Sequence, residues 1–481
     1  MTGWPDLPLL VGGEAVSGAG ERFPVVDPAT EEVRAEVAGA DAGQLDAAVA
    51  AARWAAKAWR AADSGERAEA IRRLADAIDK HRDDLAEAIV TEVGSPVTLA
   101  RGLQVGIPPV HLRWYADQST VDRTADLGPH SDPVASRSVV AYRPIGVVAA
   151  ITAYNYPLLL ATHKMGAALA AGCTVVLMPS PRTPVATLLL ARLVAETLPP
   201  GVVNVVVGGA DVARRLTEHP GVDAVSFTGS AEVGAAVMRQ AASGVRRTVL
   251  ELGGKSAAIL FPDADLATVL PELHRRYARN AGQGCASPTR LLVPRERWDE
   301  FVDASRAIYP DIPVGDPWAE ETIVGPVISA AHRERVEGYV SGALADGGAL
   351  LAGGGRPERE RGWFVNPALL TGVAPESRIA QEEIFGPVAV AFPYSTVDDA
   401  VGLANATPFG LHAYLYTGDH ERAMAVAGEL RAGTVSVNGG GGFRPDAPMG
   451  GVGVSGVGRE LGEWGIHEFL EPQHVQWREH P

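Results

Sequence analysis

Between residues 146 and 252 the chain alternates short, almost wholly apolar runs with stretches of helical period. The runs at 147–151, 174–177, 202–207, 224–227 and 248–250 are rich in Val, Ile, Leu and Ala, as strands buried on both faces require. Apolar positions recur every three to four residues near 164–171, 185–197, 210–218 and 232–243, which predicts helices between those strands. A second alternation follows, with strands near 257–261, 289–293, 388–392, 412–416 and 433–437. Helices near 264–280, 329–345, 397–404 and 419–429 separate them. Strand and helix in turn mean βαβ units and a parallel sheet covered on both sides, so the pattern predicts two α/β domains. At 481 residues the chain is also too long for a single core.

The remaining segments differ. Residues 7–35 read as short strands and turns, and Asp41 opens an alanine-rich helix to about Ala61. Ser64 caps a longer predicted helix, on which Ile71, Leu74, Ile78, Leu85 and Ile89 share a face, stopped at Gly94. A further helix carries Leu112 to Tyr115. Residues 122–138 are polar and punctuated by Pro and Gly, and 139–142 read as a strand, so an arm or hairpin is expected there.

Composition narrows the function classes. A formal net charge of -16 argues against a surface built for nucleic acid. Residues 1–6 lack the basic start and long apolar core of a secretory signal. The most apolar region, 147–177, is interrupted by Asn155, Pro157, His163, Lys164 and Gly172, so no membrane span is expected. Two cysteines make no disulfide framework and fit a reducing compartment, with the cytoplasm as the expected location. No metal-ligand cluster is expected.

One of those cysteines, Cys285, lies on a loop between a helical pattern and the apolar run 291–293. Gly282 and Gly284 remove side chains beside its sulfur. Such a thiol reads either as a nucleophile or as an inert core residue. Residues 226–234 run from a strand through Gly229 and Ser230 into a helix, whose free N–H groups suit a phosphate. The glycine spacing there, Gly229 to Gly234, is not the usual dinucleotide fingerprint. Glu251 ends a strand before Gly253 and Gly254, and is either a structural acid or a general base with a raised pKa. Asn155, among Tyr154, Tyr156 and Pro157, either donates to an oxyanion or stitches a loop.

Taken together and in order, these motifs resemble those of the aldehyde dehydrogenase superfamily over nearly the whole chain. The series is Asn155 with Pro157, Phe227-Thr228-Gly229-Ser230, Glu251-Leu252-Gly253-Gly254-Lys255, Gly282-Gln283-Gly284-Cys285, Glu383-Ile384-Phe385-Gly386-Pro387, then Pro448-Met449-Gly450-Gly451 and Ser455-Gly456-Val457-Gly458-Arg459-Glu460. The resemblance implies two Rossmann-like parallel-sheet domains, cofactor-binding (1–121 and 143–252, with a return at 446–467) and catalytic (253–445). It also implies a β oligomerisation arm (122–142 and 468–481) and a homodimer or homotetramer. By the same resemblance Cys285 attacks an aldehyde, and Asn155 with the Cys285 N–H holds the oxyanion. Glu251 then activates water, while Lys164 and Glu460 support proton movement or form a structural pair. Tyr154, Met178, Ser180, Phe227, Thr228, Gly229, Ser230, Leu252, Gly253, Glu383 and Phe385 are the implied cofactor residues, for NAD rather than NADP.

The chain departs from the family at Met178, where a lysine is usual, and at Pro181, where many NAD-preferring members carry glutamate; Arg182 stands next to it. Ala213 stands near a usual glycine. The implied substrate pocket, Tyr156, Leu160, His163, Phe443 and Met449, favours an apolar or aromatic aldehyde. Arg444, if turned inward, points instead to a carboxylate-bearing semialdehyde. A coenzyme A-acylating variant is disfavoured by the presence of Glu251. A cofactor-independent cysteine esterase and a non-catalytic relative are the readings from other classes.

Overall fold

The computed structural model describes residues 4, 7–440 and 442–478. Most of residues 1–6, where no secretory signal is expected, Gly441 of the run Gly439–Gly442, and residues 479–481 of the expected arm lie outside the described residues. Two large sheets carry the fold. The first has eight strands in the order Gly456–Val457, Arg247–Glu251, Ala224–Thr228, Val147–Ile151, Thr174–Met178, Val203–Val205, Leu9–Val11, Glu14–Val16. The second has seven: Ala349–Gly353, Ala368–Thr371, Val388–Tyr394, Pro288–Pro294, Ser256–Leu260, His412–Tyr416, Thr434–Val437. The α/β expectation is met, and the interior pairings of both sheets are parallel. Their outer strands Gly456–Val457, Leu9–Val11 and Ala349–Gly353 pair antiparallel, so both sheets are mixed rather than purely parallel. The buried apolar residues fall into two clusters, one around each sheet. Only residues 252–255 separate the last interior strand of the first sheet from the first strand of the second.

The expected arm is a hairpin, Ala125–His130 with Ser136–Pro144, and the chain's last strand Leu470–Arg478 pairs antiparallel along the whole length of Ser136–Pro144. Several expectations need correction. The single helix expected over 64–93 is two, Ser64–Lys80 and Arg82–Val93. The first buries one stripe (Ile71, Leu74, Ala75, Ile78), whereas the second is buried nearly all round from Leu85 to Val93, and one straight axis cannot serve both. His81, at φ -105° and ψ 23°, makes the turn. The helix expected from 164 starts at Pro157, because proline at the first helical position has no N–H to leave unpaired. The strand expected over 202–207 shrinks to Val203–Val205. The strands Ala349–Gly353 and Ala368–Thr371 were not expected, since glycines and short length blur their alternation. No helix among the described residues is long and apolar enough to cross a membrane.

Candidate active site

A cleft of about 1780 Å³, open mouth included, opens where the strands of the first sheet end. Val147–Ile151, Thr174–Met178, Ala224–Thr228 and Arg247–Glu251 all deliver their carboxyl-terminal residues toward it, the usual place for a ligand in a parallel sheet. The second sheet and its helices supply the opposite wall with Cys285, His332, Arg335, Glu383 and Phe385.

Cys285 is partly exposed on the loop before Pro288–Pro294. Asn280 and Ala281, which precede it, take left-handed backbone angles of 54° each, a strained turn that only strong local bonding maintains. That bonding comes from Gln283. Its side-chain oxygen accepts from the Tyr154 hydroxyl at 3.2 Å and from the Ile328 N–H at 3.0 Å, and its amide donates to the Asn280 carbonyl at 3.1 Å. Asn280 in turn donates to the Asn155 carbonyl at 3.2 Å. Gly282 is required for a separate reason: a Cβ there would lie 2.0 Å from the Gly386 carbonyl carbon, so only glycine lets the thiol loop meet the Glu383–Phe385 turn.

The Asn155 side chain is buried, and its Nδ2 donates to the Gln283 carbonyl at 2.9 Å. One amide proton is thereby fixed and the other remains. Burial pushes the Cys285 thiol up to about 12, aided by the negative charges of Glu383 and Glu251, while the N–H groups of Ala286 and Cys285 pull the other way.

Glu251 is 4% exposed and neither carboxyl oxygen has a hydrogen-bond partner. Burial raises its pKa well above the ordinary carboxylate value, and Glu460 raises it further against the opposing pull of Lys164 and Arg459. It does not line the cleft; it sits behind the wall, close enough for its charge to act on Cys285. Lys164 and Glu460, also behind the wall, form a buried ion pair at 2.6 Å, and Lys164 donates to the Ser226 hydroxyl at 3.1 Å. Neither lines the cleft, and their charges bear on Glu251 in opposite senses, Glu460 raising and Lys164 lowering its pKa.

All eleven residues expected at a cofactor line the cleft: Tyr154, Met178, Ser180, Phe227, Thr228, Gly229, Ser230, Leu252, Gly253, Glu383 and Phe385. Ser230 caps the helix Ala231–Ala242, its hydroxyl accepting from the Val233 N–H at 3.3 Å, and the hydroxyl of Thr228 is buried without a partner. Glu383 accepts from the Gly254 N–H at 3.1 Å, and a Cβ on Gly253 would come within 2.2 Å of its other oxygen. Burial raises Glu383 to about 7. The residues expected at a substrate, Tyr156, Leu160, His163, Phe443 and Met449, line the same cleft. Arg444 does not turn inward: its side chain is 66% exposed and forms a two-point ion pair with Asp446. The sequence argument for a carboxylate-bearing substrate loses its cation.

Several contributors were missed. His332 Nε2 bonds the Phe385 carbonyl at 2.7 Å and Arg335 donates to the Glu383 carbonyl at 2.8 Å, so one face of the helix Ala330–Ala345 holds that turn. Their spacing of three is visible in the sequence, but a target some fifty residues away is not. His111, behind His163, was also missed.

Comparison with known proteins bears on the same cleft. A family profile described as the aldehyde dehydrogenase family matches residues 15–475. Geranial dehydrogenase of Castellaniella defragrans is 41% identical over 468 residues, spanning 96% of this chain and 96% of its own. The crystal structure of aldehyde dehydrogenase C of Pseudomonas syringae, a cysteine-to-alanine variant in complex with NAD+ and octanal, superposes with a TM-score of 0.93 at 40% identity, covering 97% of this chain and 96% of that one. An NADP-dependent enzyme of E. coli superposes with a TM-score of 0.95 at 35% identity over 98% of each chain.

Proposed function

The chain belongs to the aldehyde dehydrogenase family, and from that premise we propose that it oxidises an aldehyde to the carboxylic acid at Cys285, with NAD as the hydride acceptor. The observation that supports this most is a single cleft bordered by a thiol and an amide donor, with an acid of raised pKa behind the wall.

The cleft has features that suit a dinucleotide. A helix N-terminus opens at Gly229 and Ser230, the buried Thr228 hydroxyl lacks a partner, and Gly253 leaves room for the Glu383 carboxylate. Ser230 and Gly229 would meet the phosphates, Glu383 the nicotinamide ribose, and Phe385 the ring, with Met178 and Ser180 at the adenosine end. A bound oxidised nicotinamide supplies the hydride acceptor and a positive charge that favours the Cys285 thiolate.

The chain's own groups do the rest. The Cys285 sulfur, having released its proton to solvent, bonds to the aldehyde carbon, and the carbonyl π pair moves onto oxygen. The free proton of the Asn155 amide and the Cys285 N–H stabilise that oxyanion. Collapse of the thiohemiacetal expels hydride and leaves a thioester on Cys285. Glu251 takes a proton from water as the water oxygen attacks the thioester carbon, and the carbon–sulfur bond breaks as that proton passes on to sulfur, restoring both the thiol and the carboxylate. The net change is aldehyde, oxidised cofactor and water to carboxylic acid, reduced cofactor and a proton.

The side chains of Tyr156, Leu160, Phe443 and Met449 favour an apolar or aromatic aldehyde, in keeping with the geranial and octanal named for two relatives. The test is a panel of aliphatic, aromatic and carboxylate-bearing aldehydes with NAD and with NADP, read by absorbance of the reduced cofactor. Turnover with apolar aldehydes is expected. Cleavage of a nitrophenyl ester with no reduced cofactor from any aldehyde would establish the esterase reading instead. At the adenosine end, Met178 is buried at the strand terminus and cannot donate to a ribose hydroxyl. Met178→Lys is expected to lower the NAD dissociation constant about tenfold, the size of one charge-assisted bond. An unchanged constant by titration calorimetry removes the residue from the cofactor site.

A further inference from the structure

Two imidazoles meet behind the substrate side of the cleft. His111, on the helix Ile107–Gln118, and His163, on the helix Pro157–Ala171, are both fully buried, and His163 lines the cleft. Their rings stack at 4.9 Å, with His111 Nδ1 3.0 Å from His163 Nε2. His111 Nε2 lies 3.2 Å from the carbonyl oxygen of Phe443, whose ring stands 6.5 Å from that of His163.

Chemistry fixes the direction of this chain. A carbonyl only accepts, so His111 Nε2 carries the proton. Burial holds His111 and His163 below their ordinary pKa, which leaves both neutral near pH 7. Neutral His111 then offers a bare lone pair at Nδ1, and His163 Nε2 must donate to it. The series runs from His163 through His111 to the Phe443 carbonyl, each link satisfying the next.

The segment so held needs holding. Asn438, Gly439, Gly440 and Gly442 all have positive φ, and a glycine-rich chain gives up much conformational freedom when ordered. Among the described residues the side chains of Arg444 and Asp446 pair with each other, a contact within the segment that does not fasten it to the rest of the protein. His111 ties Phe443, and the Gly462 N–H ties the Pro445 carbonyl at 3.0 Å.

We propose that His111 is a positioning residue for the aldehyde reaction: with His163 it holds the Phe443 segment as one wall of the substrate cavity, and so favours aldehydes long enough to touch that wall. The proposal rests on the reading of the cleft as an aldehyde site, and its test has one arm that does not. In His111→Leu the Michaelis constant for octanal is expected to rise about tenfold, the cost of a lost buried bond, with kcat within about twofold and propanal little changed. His111→Gln, whose amide can both donate to Phe443 and accept from His163, is expected to restore most of the loss. Amide exchange in peptides spanning 442–446 should quicken in His111→Leu while the rest of the chain is unaltered, a readout that needs no turnover. Equal Michaelis constants at every chain length, a uniform rise not restored by glutamine, or unaltered exchange would overturn the proposal. Should His111→Leu not fold, His111→Asn, too short to reach both partners, replaces it, and wild-type values in that variant count against the proposal equally. If no aldehyde is oxidised by the wild type, the functional reading fails while the exchange arm still decides the role of His111.

Discussion

Cys285→Ala is expected to abolish aldehyde oxidation and any ester cleavage together, with kcat/KM falling by at least about 10⁴-fold, as loss of a covalent nucleophile does elsewhere. No other thiol can take over. Cys173 is wholly buried, its Sγ against the Phe469 carbonyl at 3.4 Å, and burial raises it to about 12 as well. The measurement is reduced-cofactor absorbance beside nitrophenolate release, with cofactor affinity by calorimetry as the control for an intact cleft. Ester cleavage that survives the substitution would assign the thiol no part in bond making. Because the thiol is held high by burial and two carboxylates, the bond-forming step should quicken with rising pH over the neutral range.

Glu251→Gln is expected to separate the two halves of the reaction. The first turnover should still release a burst of reduced cofactor equal to the enzyme present, while the steady rate falls about a hundred- to a thousandfold, the usual worth of a general base. The sign of the pH effect follows from the raised pKa. Only the ionised carboxylate accepts a proton, and burial makes Glu251 hold its proton to higher pH than an ordinary carboxylate does. Where hydrolysis limits turnover, kcat therefore climbs as pH rises through that raised value and flattens beyond it, and the glutamine variant should lose the slope. Rapid-mixing measurement of the burst across pH checks both points. Loss of the burst itself would move Glu251 from the hydrolytic step to the first.

The parts of the fold legible beforehand are those in which one residue's surroundings are written in its neighbours. The strand at 147–151 is buried on both faces and is an unbroken apolar run whatever the rest of the chain does, and 224–228 departs from that only at Ser226 and Thr228. The break at His81 was not legible, because the residues on either side keep helical spacing and only the packing of two different faces demands a turn. The thiol loop announced itself through Gly282 and Gly284 beside a rare cysteine. Its fastening through Gln283 to Tyr154 and Ile328 did not, since partners 129 and 45 residues away leave no periodic trace. His111 illustrates the same limit: on its own helix it is one more buried position, and its meaning lies in two contacts 52 and 332 residues distant.

The four residues between the two sheets have a mechanical consequence. Leu252 N–H bonds the Ser455 carbonyl at 3.0 Å, and the Ser455 hydroxyl bridges Gly253 and Gly410, so the outgoing and returning chains are spliced together at that point. A Cβ on Gly254 would stand 2.5 Å from the Cys285 carbonyl oxygen, which puts the sulfur's own backbone against the splice. The splice thus ties both crossings between the sheets, at 252–254 and at 455, to the backbone that carries the thiol.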